Sequence, residues 1–281
     1  MTESICLPRD PFHQERVLFY SLMQAARNAI SRAEVVMQIA ISIDDTDNLE
    51  SRGTGALATL LAEAIEERSW GESRFITRHQ LLVHPDIPYT SHNSAMCFTA
   101  EIAPEHLENI IAYASGFLAR ESASGSDPGL CVVPLERLEL PAELVAFGLR
   151  AKEEVLSKEA AYDLAQRAGI HLSEHGGSGQ GVIGALAGAG LRLSGNDGRL
   201  KGWLNIAAQN GRVSVAELQA HTDVDEVRCV DGRVVGVDEL VRLGDKVKTV
   251  LLEGKAVLLI EPLEAEGVAW QTCSKQRLKC Y

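Results

Sequence analysis

An apolar run at residues 35–43 ends in a cluster of acidic residues, and a glycine-rich turn follows it. Both faces of this run would be apolar in an extended chain, which is typical of a central strand that is covered on both sides. Residues 55–68 then place leucine, alanine and isoleucine on one face at helical spacing. The pattern predicts a buried strand, an acidic turn and a helix that begins just after the turn.

Helical and extended patterns continue to alternate along the next part of the chain. Apolar spacing predicts helices over 14–34, 104–119 and 141–169, the last in two pieces broken near Ser157, a residue type that caps helices. Strands are predicted near 74–83 and 94–102 and at the segment CVVPL. This alternation is typical of an α/β or α+β fold.

The pattern changes after about residue 204. Short apolar stretches are separated by turn signals at Asp231-Gly232 and Glu253-Gly254, which predict short antiparallel strands. We therefore expect a small β-rich segment at 205–281, appended to the α/β part.

Composition and charge narrow the class of protein. Of the 281 residues 46% are apolar, and no run of about 18 apolar residues predicts a membrane span. The N-terminal residues lack the pattern of a signal peptide, so we expect a cytoplasmic protein. The formal net charge of -12 argues against a protein that grips long nucleic acid by its phosphates, and Lys275, Arg277 and Lys279 predict only a solvated tail. Six scattered cysteines without a Cys-x-x-Cys pair do not predict a zinc ribbon.

The acidic residues after the predicted strand are Asp44, Asp45 and Asp47. Neighbouring carboxylates repel one another unless a cation or a basic group compensates for their charge. Mg²⁺ bound together with nucleotide phosphates is a suitable cation, because it prefers oxygen ligands and takes one or two carboxylates. The alternative is a capped turn, since Asp is common in turns and at helix N-caps. Three acids directly after a buried strand favour the metal or catalytic site.

Thr54 lies between Gly53 and Gly55 at the start of the predicted helix. The N-terminus of a helix presents free N–H groups and favours anions. The hydroxyl of Thr54 has three possible roles there: it caps the helix, contacts a phosphate, or accepts one. The spacing alone favours the cap.

A second glycine-rich segment, GGSGQGVIGALAG, leads into another predicted helix. It contains the spacing G-x-G-x-x-G but lacks the Lys-Ser/Thr pair of a Walker A loop, and this short pattern alone is weak evidence. Two interpretations stay open: a backbone cradle for phosphates at the helix N-terminus, or close packing of the helix through small residues.

Loop residues supply further candidates. His92 lies in the loop HPDIPYTSHN and is either a contact for a substrate anion or an exposed loop histidine. Asp127 belongs to Ser-Asp-Pro-Gly, which by itself is a common turn sequence. His171 and His175 are four residues apart, as in a zinc pair on one helical face, but two glycines follow them immediately.

Four of these motifs occur in the order seen in the archaeal agmatinylcytidine synthetase family, whose members modify the wobble cytidine of an isoleucine tRNA. The stretches ISIDDTDNLESRGTG, HPDIPYTSHNSA, SDPG and GSGQGVIGALAG resemble that family's motifs over roughly residues 38–190. The resemblance implies a kinase-like catalytic domain that uses ATP and Mg²⁺, together with a ferredoxin-like portion. We expect an N-terminal helical extension at 1–34, the catalytic ATP/Mg α/β domain at 35–125, the ferredoxin-like and glycine-loop portion at 126–204, and the β-rich segment at 205–281.

The resemblance also implies roles for individual residues. Asp44, Asp45 and Asp47 would serve Mg²⁺ binding and phosphoryl transfer, and Thr54 matches a threonine that becomes phosphorylated. The expected contacts to ATP or its phosphates are Arg52, Gly53, Gly55, Gly177, Gly179, Gly181 and Gly184. The expected substrate contacts are Pro88, Tyr89, His92, Asn93 and Asp127. The sequence also departs from the family here, because the family's GMCTT reads SRGTG, so that one threonine is lost and Arg52 is gained. Independently of the resemblance, we expect Arg52 or His92 to supply positive charge in the transition state.

The sequence departs from the family pattern where the tRNA would be held. Two positive charges of the family's IPY loop are lost at residues 90–93, and neither an OB-fold nor a zinc ribbon is recognisable after residue 204. We therefore predict a phosphoryl-transfer enzyme that depends on ATP and Mg²⁺, with a small molecule or a nucleotide as acceptor and tRNA disfavoured. The alternatives are a nucleotide-binding regulatory module without turnover and a tRNA-modifying synthetase that works with a separate RNA-binding partner.

Overall fold

The computed structural model describes residues 36–87, 93–208, 210–265 and 268–281. The helix predicted over 14–34 lies outside these ranges, and so do Pro88, Tyr89 and His92 of the expected substrate loop. In chain order the elements are β1 (Met37–Asp44), α1 (Thr54–Glu67), β2 (Gly71–Ser73), β3 (Thr77–Gln80), β4 (Ser94–Ile102), α2 (Leu107–Glu121), β5 (Gly129–Pro134), α3 (Pro141–Arg150), α4 (Lys158–Ala168), β6 (His171–Glu174), α5 (Gly181–Ser194), β7 (Arg199–Leu200), β8 (Arg212–Ser214), α6 (Val215–Gln219), β9 (Glu226–Cys229), β10 (Leu240–Arg242), β11 (Val250–Leu252), β12 (Lys255–Ala265) and β13 (Val268–Thr272). The fold is a mixed α/β fold of the α+β kind, as predicted.

The strands of the described residues form one sheet in the order β6-β5-β1-β4-β3-β7-β11-β12-β13-β10-β8, with β2 against β4 and β9 against β12. β1 lies between β5 and β4 and is antiparallel to both. The predicted central strand is therefore confirmed. The strands predicted near 94–102 and at CVVPL correspond to β4 and β5, and the helices predicted over 55–68 and 104–119 correspond to α1 and α2.

Side chains of β1 alternate between two helical layers. Ile39 and Ile43 pack in the core under α1 and α2, whereas Ala40 belongs to the core shared with α3, α4 and α5. Because successive residues of a strand face opposite sides, Asp44 faces the α5 layer as Ala40 does. A Cβ added at Gly184 of α5 would collide with the Asp44 carboxylate. The last residue of the strand therefore brings a carboxylate to the start of α5.

Of the extended segment predicted near 74–83, only Thr77–Gln80 forms a strand, β3, and β2 lies just before the segment. The two strands pair with β4 in different registers. Ser73 of β2 lies opposite Ala100, and Thr77 of β3 lies opposite Cys97. The chain thus advances four residues from Ser73 to Thr77, whereas β4 advances only three residues between their partners. One extra residue just before β3 therefore forms a bulge, which interrupts the ladder and bends the strand.

The predicted break in the helical segment 141–169 is confirmed. α3 ends at Arg150, and α4 starts after Ser157, whose hydroxyl accepts a hydrogen bond from the backbone N–H of Ala160 at 3.2 Å. The sequence pattern did not predict β6, which has four residues and lies between α4 and the glycine-rich segment. A strand this short gives too few positions for a period of two to be recognised.

The chain after residue 204 is rich in strands, as predicted, but the strands are not all antiparallel. β12 pairs antiparallel with β11 and β13. In contrast, β9 runs parallel to β12, and β10 runs parallel to β13. β7 pairs with both β3 and β11, so the sheet continues from the first part of the chain into this segment. The four-part division into domains stays a prediction. No helix within the described ranges is long and apolar enough to cross a membrane.

Candidate functional site

A cavity of about 620 Å³ opens at the end of β1, beside the first turns of α1 and α5. Its lining combines the acidic residues with residues of both helix starts, among them Asp44, Asp45, Asp47, Gly53, Thr54, Gly55, Gly181 and Gly184. The fold thus brings together two motifs that are far apart in the sequence. Helix N-termini present unpaired N–H groups that favour anions, so the cavity combines carboxylates with backbone donors.

The pairing of β1 with β5 brings a third motif to the same place. Asp44 lies opposite Gly129, so the turn Ser-Asp-Pro-Gly enters β5 where β1 ends. Asp127 of this turn accepts hydrogen bonds from the backbone N–H of Ser178, at 2.5 Å, and from the Ser178 hydroxyl. Asp127 does not itself line the cavity. Its contacts instead fix the glycine-rich segment that precedes α5.

The carboxylates at the end of β1 are crowded and poorly hydrated. Asp44 is 8% exposed, and burial, with Asp45 as the next cause, raises its pKa to about 8. Burial, followed by the carboxylates of Asp127 and Asp47, raises the pKa of Asp45 to about 6. Burial and crowding therefore disfavour the ionised carboxylates, and a bound cation would stabilise them.

The backbone of Asp45 adopts a conformation that is rare for residues other than glycine. Its φ of 49° lies in the left-handed region. Such a turn directly after a strand lets consecutive acidic residues line the same cavity. Strained backbone of this kind is frequent at functional sites.

Thr54 does not cap α1. The N-cap residue is Gly53, with a φ of 82°, and no side chain caps this helix end. Thr54 is the first helical residue, and its hydroxyl donates a hydrogen bond to Asp47 Oδ1 at 3.2 Å. The preference for a cap that the spacing suggested is therefore wrong. The hydroxyl lies at the acidic cluster, and its two other roles, phosphate contact and phosphate acceptor, stay open.

Two glycines of the second segment are needed for close packing. A Cβ at Gly184 would collide with Asp44 Oδ2, and one at Gly181 would collide with the backbone oxygen of Asp127. Only glycine therefore lets α5 approach β1 and the neighbouring turn this closely. Both glycines also line the cavity, so the packing interpretation applies to them without excluding a phosphate contact.

The remaining expected contacts are divided between the cavity wall and positions outside it. The residues that do not line the cavity are Arg52, Gly177 and Gly179. Arg52 forms an exposed ion pair with Glu121 at 2.7 Å. Asn93 does line the cavity, and its Nδ2 donates a hydrogen bond to Leu82 O at 2.6 Å.

A cation that the sequence did not single out lies in the cavity wall. Arg78 of β3 is half-buried, and its Nε donates a hydrogen bond to Ser94 Oγ at 2.9 Å. It lies opposite Met96, on the α1 side of the sheet. Burial and then Arg199 lower the pKa of Arg78, while Asp47 raises it. A single arginine in a strand of four residues carries no sequence signal of its own, which is why the motifs did not include it.

His171 and His175 do not lie on a helix. They lie in and just after β6, and their rings hydrogen-bond to Ser173 Oγ at 3.0 and 2.9 Å. Within the described ranges, no three His, Cys, Asp or Glu side chains are arranged to hold a metal ion by themselves. Among those residues, His171 and His175 therefore have no third ligand with which to form a zinc site.

No protein-family model matches the chain. An uncharacterized protein of Methanocaldococcus jannaschii is 26% identical to it over 180 residues, which are 60% of this chain and 56% of that protein. The chain thus spans just over half the length of this relative.

Solved structures of TiaS also resemble part of the chain. A complex of TiaS with tRNA and ATP is 28% identical, with a TM-score of 0.48 over 55% of this chain and 36% of that chain. Apo TiaS, a tRNA agmatidine synthetase, is 28% identical, with a TM-score of 0.47 over 55% of this chain and 35% of that chain. A TM-score in this range assigns no activity to the chain by itself.

Proposed function

We propose that the protein binds ATP with Mg²⁺ in the cavity at the end of β1 and catalyses phosphoryl transfer to a small-molecule or nucleotide acceptor. The proposal rests on one observation: three aspartates and the N-termini of α1 and α5 meet at one cavity. Carboxylates suit a hard cation and helix N-termini suit phosphates, so each half of a metal–nucleotide complex has a matching surface. The order of motifs that resembles the agmatinylcytidine synthetases supports the same ligand.

The donor set at this cavity fits Mg²⁺. Asp44, Asp45 and Asp47 offer oxygen ligands only, and all three line the cavity. Mg²⁺ usually takes one or two carboxylates and completes its shell with water and phosphate oxygens. When bound, Mg²⁺ would neutralise negative charge on the phosphates during the transfer.

Groups of the chain itself would position the nucleotide. Backbone N–H groups in the first turns of α1 and α5 would face the phosphates, and the guanidinium of Arg78 would add positive charge. Arg78 takes the role that the sequence suggested for Arg52, because Arg52 is paired with Glu121. The Thr54 hydroxyl would then either bind a phosphate oxygen or accept a phosphoryl group.

A nucleotide-binding module without turnover is the second candidate. The ion pair between Arg52 and Glu121 favours it, because this pair engages a cation that was expected to act in the transition state. Such a module would bind Mg²⁺-ATP and release neither ADP nor AMP.

The first test compares ATP turnover by the full chain with that of Asp45→Asn. Removing one charge from the acidic cluster should reduce kcat/KM for Mg²⁺-ATP by at least about 100-fold, or about 2.7 kcal/mol of transition-state stabilisation. Asp163→Asn is the matched control, because this exposed aspartate on α4 forms an ion pair with Arg167 far from the acidic cluster in sequence, and it should keep full turnover. Undiminished turnover in Asp45→Asn would exclude the acidic cluster as the metal site.

Mass spectrometry after incubation with Mg²⁺-ATP separates the candidate functions. A phosphate on Thr54 would assign it as an acceptor, whereas rapid turnover with unmodified Thr54 would assign it to binding. ADP as the product indicates a kinase-type reaction, and AMP indicates a synthetase-type reaction. Binding of Mg²⁺-ATP with no product would support the module without turnover.

A further inference from the structure

A second cavity, of about 280 Å³, lies beside the segment that follows β7. Lys201, Trp203 and Lys248 line it together with Ile76. The backbone N–H of Lys201 donates a hydrogen bond to Ile76 O at 2.8 Å, and Lys248 Nζ donates one to Leu200 O at 3.0 Å. These bonds hold the walls of the cavity together.

Positive charge is concentrated around this second cavity. The basic cluster consists of Lys248 and of four side chains whose charges act on it, Arg78, Arg199, Lys201 and Lys275. Lys201 and Lys248 line the second cavity, and Arg78 lines the first. In the part of the chain that the structure describes, none of the five forms an ion pair with a carboxylate. The lining does include Asp223, but its side chain is 60% exposed and lies 3.9 Å from His221. The cluster therefore has no direct ion-pair partner, although Asp47 acts on Arg78 and Asp197 acts on Arg199 without forming an ion pair.

Two observations indicate that the basic cluster lacks a partner. Arg199 Nε is buried and has no hydrogen-bond partner among the described residues. Burial, followed by the charges of Arg199 and Arg78, lowers the pKa of Lys248 to about 8. A bound anion would relieve the repulsion.

Trp203 gives the second cavity an aromatic wall. Its ring centroid lies 4.3 Å from Lys248 Nζ and 5.1 Å from Lys246 Nζ. Contact with the ring face stabilises the lysine ammonium groups in place. An aromatic wall also excludes water from one side of the site, which strengthens the attraction between an ammonium group and an anion.

The basic cluster connects the second cavity to the first. A Cβ at Gly55, in the first turn of α1, would lie 3.2 Å from Lys201 Cε, so the Lys201 side chain reaches the rim of the first cavity. Arg78 lines the first cavity and interacts with the charge of Arg199. A molecule anchored at the basic cluster would therefore have its other end at the proposed ATP site.

We propose that the basic cluster and Trp203 bind the phosphate monoester of a small molecule, and that this molecule is the second substrate. The role as substrate rests on the function proposed above, whereas the binding site stands on its own geometry. Several cations without carboxylate partners match a dianion better than a single carboxylate. An RNA strand would instead need cations in a row along a groove, whereas Lys201 and Lys248 face one small cavity beside Trp203.

Isothermal titration calorimetry of the full chain with phenyl phosphate tests the site. Lys248→Gln and Lys201→Gln should each weaken binding by about tenfold or more. Lys201 is exposed and Lys248 is half-buried. The Lys201 variant should therefore fold even if replacing Lys248 prevents folding. Lys246→Gln is the matched control, because Lys246 contacts the same ring but lies outside the cluster, and its affinity should change by less than about twofold.

Asp45→Asn separates this proposal from the proposed function. This variant should lose ATP turnover and bind phenyl phosphate with unchanged affinity. If the wild-type protein binds phenyl phosphate but shows no ATP turnover, only the proposed enzymatic function is refuted. Equal affinities of the Lys201, Lys248 and Lys246 variants would overturn the site. RNA binding that depends on Lys201 and Lys248, without binding of phenyl phosphate, would also overturn the site. Competition showing that phenyl phosphate occupies only the Mg²⁺-ATP site would overturn it as well.

Discussion

At the scale of single residues, Gly184 serves helix packing and the candidate chemistry at once. The missing side chain leaves room for the carboxylate of Asp44, which is 8% exposed at the end of the central strand. Any larger residue would have to move either the helix or the carboxylate. Stability and the geometry of the acidic cluster therefore depend on the same position.

Gly184→Ala should lower the free energy of unfolding by about 1–3 kcal/mol, because the added methyl group must displace buried atoms. Gly116→Ala is the matched control: Gly116 also lies inside a helix, but its Cβ would meet only the flexible end of Arg120. The control should stabilise the protein by about 0.5–1 kcal/mol through helix propensity. Denaturant unfolding measures both values, and stabilisation by both substitutions would contradict the close approach of α5 to Asp44.

The sequence identified the acidic residues and Thr54 because their chemistry is local. Three acids in four positions after an apolar run are visible without any knowledge of the fold. The basic cluster is different, since Arg78, Lys201 and Lys248 come from distant segments of ordinary composition. Only the pairing of β7 with β3 and β11 brings these segments together.

At the scale of elements, Asp197 connects three parts of the fold just before β7. Its Oδ1 lies 2.9 Å from His79 Nδ1 of β3, and its Oδ2 pairs with Lys152 Nζ, which follows α3. Both His79 and Asp197 are buried. This junction helps to hold a strand of only two residues in the middle of a long sheet.

Asp197→Asn should cost about 1–3 kcal/mol of folding free energy, because Lys152 loses its counter-ion in a partly buried position. The exposed pair between Asp163 and Arg167 again supplies the control, and Asp163→Asn should change stability by less than about 0.5 kcal/mol. Urea unfolding of the two variants gives the comparison. A cost no larger than that of the control would show that the junction does not stabilise the sheet.

The long elements could be predicted because each buries a continuous apolar face. β1, β4 and α1 have enough residues for their period to be recognised, and the cap at Ser157 is a local hydrogen bond. β6 and β7 have four and two residues and show no period. The parallel direction of β9 and β10 depends on partners far along the chain, so turn signals alone misassigned it.

At the scale of the whole molecule, the protein combines an acidic net charge with a concentrated group of cations. The members of the basic cluster come from β3, β7, the segment before β11 and the C-terminal part of the chain. Folding gathers them, and unfolding separates them. Their repulsion therefore opposes folding of the molecule as a whole unless an anion is bound.

Burial of Lys248, together with the repulsion from its neighbours, gives a pH dependence of known sign. The pKa of Lys248 falls from 10.5 to about 8 on folding, first because of burial and then because of its cationic neighbours. Between these values the unfolded chain binds more protons, so the contribution of Lys248 to the free energy of unfolding should rise with pH. Below about pH 8 the cost of the charged lysine is fully present.

Denaturant unfolding between pH 7.5 and 10 measures this contribution as the difference between wild type and Lys248→Met. The wild-type stability should rise more steeply with pH than that of the variant. Lys246→Met, which removes a lysine from the same ring, should keep the wild-type slope. Parallel curves for wild type and Lys248→Met would contradict the assignment.

The bulge before β3 determines which side of the sheet carries Arg78. In the register of β2, position 78 would lie opposite Ala95, which packs with α3, α4 and α5, but the extra residue places it opposite Met96. Deleting one uncharged residue there would preserve every charged and catalytic group, yet it would turn the arginine to the opposite face. At this point of the chain, a change in length alone is enough to separate a cation from the acidic cluster that it faces.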